Sequence, residues 1–157
     1  MKLKLFICCF VICLNVNSQE KIETNNQSKV GLTEEEFNYA CIEYKKMMQT
    51  ETYILNENNA RSFAEKVNGA IDFRSVSKDL IKDKESYLKL IESNISKTKF
   101  KSIEEMRNAF EKQEDSTKKL MEENKKLYEL LEKANDEQRF KIFKPLYDHS
   151  RKTMFNN

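Results

Sequence analysis

The chain has 157 residues, 28 basic against 26 acidic side chains, and a formal charge of +2, a length suited to one domain. Near-neutrality excludes a dedicated nucleic-acid binder, whose affinity rests on a net cationic surface. Two glycines, one proline and a single histidine exclude glycine-rich phosphate loops and His-based metal clusters.

Residues 1–18, MKLKLFICCFVICLNVNS, have the form of a secretory signal peptide. Lys2 and Lys4 give a basic start, Leu5 to Leu14 an apolar core, and Val16-Asn17-Ser18 ends on a small residue suited to cleavage. The apolar run is too short to cross a bilayer, which takes roughly 20 residues. An exported chain, periplasmic or extracellular, is therefore expected, with no integral membrane segment after cleavage. Removing residues 1–18 takes away Lys2 and Lys4 and brings the formal charge to 0. It also takes Cys8, Cys9 and Cys13, leaving Cys41 as the one thiol. In an oxidising compartment Cys41 is either a small buried hydrophobe or an intermolecular bridge. Its place on an apolar helix face favours burial.

Residues 19–31 are polar apart from Ile22 and read as a disordered leader. A helical domain is expected over 32–155: all-α, a single bundle or long hairpin of four to five helices. The first helix opens on Thr33-Glu34-Glu35-Glu36, a capping box. It carries Phe37, Cys41, Tyr44, Met48 and Leu55 on one face, with Ala40 and Met47 beside it. Asn56, Asn58 and Asn59 mark its break. A second helix covers Ala60 to Ile71, with Phe63, Val67, Ala70 and Ile71 inward and Gly69 as a weak point. A third runs from about Ser77 through Leu80, Ile81, Lys84, Tyr87, Leu88, Ile91 and Ile95, with Asp79 and Asp83 on its solvated face. Ser96 to Lys99 connect it onward.

The fourth helix starts at a second capping box, Ser102-Ile103-Glu104-Glu105. Steps of three and four then run through Ile103, Met106, Phe110, Gln113, Thr117, Leu120, Asn124, Leu127, Leu131 and Ala134, a heptad seam. Glu114–Lys118, Asp115–Lys119, Glu122–Lys126 and Glu129–Lys133 support it at a spacing of four. Asn135-Asp136 ends or kinks this helix, and a last segment runs to Lys144 ahead of Pro145.

Two features are candidate partner surfaces. The first is Asn124, at position a between Leu120 and Leu127 at d, where a buried Asn can fix the register of a parallel dimer. A homodimer through residues 103–134 is one use of this seam, and packing within its own chain is the other. Met121, Tyr128 and Leu130 widen the apolar face and favour the second. The other feature is the segment from Arg139 to Phe155, with a net charge of +4 against −3 for residues 101–137. Arg139, Phe140, Lys141, Phe143 and Lys144 lead a basic, aromatic stretch suited to an acidic partner or anionic surface. Alternatively Phe140, Phe143 and Tyr147 complete the core.

The spacing shows no catalytic or cofactor-binding residues and no metal site. His149, the one imidazole, sits near the C-terminus, and twenty-six carboxylates make some acidic pair inevitable without marking one. Leu32-Thr33-Glu34-Glu35-Glu36 resembles the Leu-Thr-x-x-Gln motif of periplasmic Spy-like helical chaperones, with Glu36 at the Gln position and a single copy. The export signal with a long charged helix is similar in composition to Skp-like chaperones. Neither resemblance carries over a site residue. The expected function is binding rather than catalysis, as a chaperone- or adaptor-like protein of the cell envelope. A secreted inhibitor, immunity or effector protein directed at one target is the alternative.

Overall fold

The computed structural model describes residues 31–72 and 83–155, with side chains through Leu146 in the last helix. The expected export segment 1–18, the expected leader to residue 30, Leu80 and Ile81, and the side chains of Tyr147, His149, Arg151, Lys152 and Phe155 lie outside the described residues. The described chain is all-helical. It forms six α-helices: α1 (Glu34–Met47), α2 (Glu51–Val67), α3 (Lys84–Ser93), α4 (Ile103–Glu123), α5 (Lys125–Lys133) and α6 (Asp136–Phe155). A 3-10 turn at Ile95–Lys97 follows α3. The described residues group into two compact units, 55–118 and 31–54 with 119–155. The division falls within α2 and within α4.

In the unit of α1, α5 and α6, Thr33 caps α1 as its sequence requires. Thr33 Oγ1 accepts from the Glu36 amide at 3.2 Å, and Glu36 Oε2 accepts from the Thr33 amide at 3.0 Å. That backbone hydrogen bond is the main reason the Glu36 carboxyl is held below its ordinary pKa. A depressed carboxyl stabilises the fold above its unfolded pKa, and the contribution is lost as pH falls through the folded value. Thr33→Ala is expected to cost about 0.5–2 kcal/mol, read as a lower urea midpoint. An unchanged midpoint would show that the box carries no stability.

Helix α1 packs on α5 and α6. Ala40, Tyr44 and Met47 bury against Leu127, Leu130, Leu131, Ala134 and Ile142. Cys41 is half-buried beside this cluster, and burial pushes its thiol pKa up. Lys126 lies 4.1 Å from the centre of the Tyr39 ring, a cation–π contact joining α5 to α1.

The other unit is built on aromatic packing. Phe63 meets Phe110 edge-on at 5.7 Å and Phe100 at 5.3 Å between ring centres. Val67, Tyr87, Leu88, Ile91 and Met106 close the cluster. Three ion pairs border it: Lys66–Glu105, Lys84–Glu114 and Arg107–Glu92. All are partly exposed, so solvent screens most of their attraction. The apolar cluster dominates, at about 1.5–3 kcal/mol for each large side chain taken out of water.

Several expected boundaries move, each for a local reason. The first break falls at 48–50, not at Asn56–Asn59. Thr50 Oγ1 accepts from the Tyr53 amide at 3.2 Å and so starts α2 early. This resets the helix face, so Leu55 points outward with 53% of its surface exposed. Helix α2 ends at Val67 because Gly69, at φ +80°, takes the left-handed turn that side chains resist. Asp83 caps α3, accepting from the Ser86 amide at 2.8 Å, instead of lying along a helix face. The second capping box is half made. Ser102 accepts from the Glu105 amide, while the Glu105 carboxylate turns to the Lys101 amide and to Lys66. Six helices stand among the described residues where four or five were expected, since the seam helix divides at Asn124. The final helix, expected to run to Lys144, continues through Pro145 to Phe155.

Candidate partner-binding face

The Asn135-Asp136-Glu137-Gln138 turn sets the orientation of α6. Asn135 Oδ1 accepts from the Gln138 amide at 2.9 Å, and Gln138 Oε1 accepts from the Asn135 amide at 3.3 Å, an Asn–Gln capping box. The same carboxamide clasps the peptide groups of Leu32. Leu32 N–H donates to Gln138 Oε1 at 2.8 Å, and Gln138 Nε2 donates to the Leu32 carbonyl at 2.9 Å. From this fixed start the period of 3.6 turns Ile142 and Phe143 inward. Ile142 is 1% exposed, and Phe143 meets Tyr44 edge-on at 5.1 Å.

The opposite side carries Phe140, Lys141 and Lys144. Phe140 is 62% exposed, the most open of the large apolar side chains described. Lys141 and Lys144 are also exposed, both to the same side of Phe140 around the helix, with Lys144 one turn on and the nearer. Lys141 Nζ lies 2.7 Å from Glu137 Oε1, one turn back, and that bond holds the Glu137 carboxyl below its ordinary pKa. Arg139 faces elsewhere. Its guanidinium donates to the carbonyls of Leu131 at 2.9 Å and Glu132 at 3.2 Å, closing the C-terminal end of α5. The basic, aromatic run of the sequence thus splits by role: Ile142 and Phe143 complete the core, Arg139 caps a neighbour, and Phe140, Lys141 and Lys144 meet solvent.

The Asn124 constellation is placed differently. Leu120 and Leu127 are each 2% exposed and lie in the core of their own chain, as does Leu131. Asn124 is half-buried, and its side-chain amide donates to the Leu120 carbonyl at 2.9 Å, back on its own helix. Met106 and Phe110, earlier in the seam, are buried in the other unit.

Two participants had no role in the sequence reading. The Asn135–Gln138 box had a local signal, an Asn followed three residues later by a Gln ahead of an apolar turn. The Leu32 clasp had none, because its partners stand 106 residues apart. Among the described residues, no group of three His, Cys, Asp or Glu side chains is arranged to hold a metal ion, and no helix is long and apolar enough to cross a membrane. Comparison with family models, curated proteins and solved structures gives no match.

Proposed function

We propose that the chain is an exported helical-bundle protein that acts by binding another protein, as an envelope chaperone or adaptor does, through the outer side of α6. The exposure of Phe140 at the edge of a face that also carries Lys144 and Lys141 carries this reading. Aromatic side chains are enriched at interface hot spots because they bury large area with few rotors. Lysines to one side of it suit a pocket with carboxylates on the matching edge and steer its approach. The basic-then-apolar pattern of residues 1–18 supports export, where such a partner would be met.

Affinity capture from the envelope and secreted fractions of the native host tests the reading, with wild type, Phe140→Ser and Lys144→Glu compared side by side. A hot-spot aromatic contributes about 2 kcal/mol or more, roughly thirtyfold in affinity. Phe140→Ser is therefore expected to lose the captured partner while its circular dichroism stays that of wild type. Equal recovery of every partner by both variants would remove α6 as the binding face.

A further inference from the structure

Helix α4 carries polar side chains where its heptad seam calls for apolar ones, and α2 meets them with a single acceptor. Gln113 Nε2, Ser116 Oγ and Thr117 Oγ1 converge on Asn56 Oδ1 at 3.2, 3.1 and 2.7 Å. Asn59 Nδ2 adds bonds to Ser116 Oγ at 3.2 Å and to the Lys112 carbonyl at 3.4 Å. Gln113 also donates to Thr117 Oγ1 at 3.2 Å. Gln113 and Ser116 are the buried polar residues here, 7% and 6% exposed, and Gln113 Oε1 is buried with no hydrogen-bond partner.

A layer of this kind is a poor device for stability, since a buried amide oxygen without a partner is unfavourable. It is a good device for selection. Apolar burial is non-directional, so a seam of Met106, Phe110 and Leu120 alone accepts neighbouring registers and other apolar helices alike. The Ser116 and Thr117 hydroxyls also lie 3.0 and 2.9 Å from the Gln113 carbonyl of their own helix, so the register is set from the α2 side. Asn56 Oδ1 and Asn59 Nδ2 meet these partners at one register, against one helix. Pairing of two α4 helices from separate chains would leave the Asn56 and Asn59 side chains of α2 without these partners.

We propose that the Asn56–Gln113–Ser116–Thr117 layer selects the partner of α4, fixing α2 against it in one register and disfavouring α4-to-α4 association between copies of the chain. The full-length quadruple variant N56L/Q113L/S116A/T117V replaces the layer with apolar groups of similar size. Its thermal midpoint is expected at or above that of wild type. Its mass by light scattering is expected to rise with concentration toward twice the wild-type value. Wild-type mass over the same concentrations, in a folded variant, would overturn the proposal. Asn56→Ala provides a second test that keeps the apolar faces intact. Tagged and untagged N56A chains are mixed and the tagged chain is captured. Untagged chain recovered well above the wild-type level supports selection by the layer, and recovery at the wild-type level overturns it.

Discussion

Phe63→Ala is expected to lower stability by about 3–5 kcal/mol, the range for removing a phenyl ring from a packed core. Phe63 is 2% exposed and touches rings from two other segments, Phe100 ahead of α4 and Phe110 within it. Its removal leaves a void in the cluster it shares with Val67, Ile91 and Met106, which are buried on three different helices that cannot close together without shifting their axes. Such a loss is a large share of the roughly 5–15 kcal/mol that holds a typical domain. Hydrogen exchange should report it as lost protection in α2, α3 and the first part of α4. Protection within a few tenths of a kcal/mol of wild type would mean the aromatic cluster is not the organising core of that unit. Phe63→Leu, which keeps most of the volume, should recover much of the loss.

Gly31→Ala is expected to cost about 2–4 kcal/mol, from two sources at one position. Gly31 sits at φ +82°, a conformation that a side chain strains. A β-carbon there would also lie 2.8 Å from Asn135 Nδ2 and 3.0 Å from Gln138 Oε1. Those atoms end flexible side chains, but both are committed: Gln138 to Leu32 and both to the α6 capping box. Moving them aside breaks the clasp. Gln138→Ala, which loses the clasp without backbone strain, should cost less. The double variant should fall short of the sum, because the crowded carboxamide is already gone. Urea denaturation of the three variants measures this, and strict additivity would show that the glycine and the clasp act independently.

The local code was legible where partners stand close in sequence. The Thr33 box formed as written, and Phe63, Val67, Tyr87, Leu88, Ile91, Met106 and Phe110 turned inward as their spacing implied. Misplaced boundaries came from side chains whose partners are remote. Asn56 and Asn59 are turn formers by habit, yet they stay helical because α4, 53 to 61 residues on, offers them hydrogen bonds. Pro145 suggested an end, and α6 continues through it. At the candidate site, the sequence gathered Arg139 to Lys144 as one basic patch. Which members face solvent depended on the helical phase set by the Asn135–Gln138 box, and Arg139 left the patch for the end of α5.

The sequence by itself determined the all-helical class, the Thr33 cap and most of the inward faces, because helix formation depends on residues within one or two turns of each other. It also carried the basic-then-apolar pattern of residues 1–18, legible because it is a run of contiguous residues, on which the proposal of export rests. Only the tertiary structure decided where the polar side chains went: Gln138 to Leu32, Asn56 to Gln113 and Thr117, and Asn124 back onto its own backbone. A polar side chain inside a helical seam must find a partner wherever one is brought near. Sequence spacing cannot name that partner when the chain returns to it from dozens of residues away.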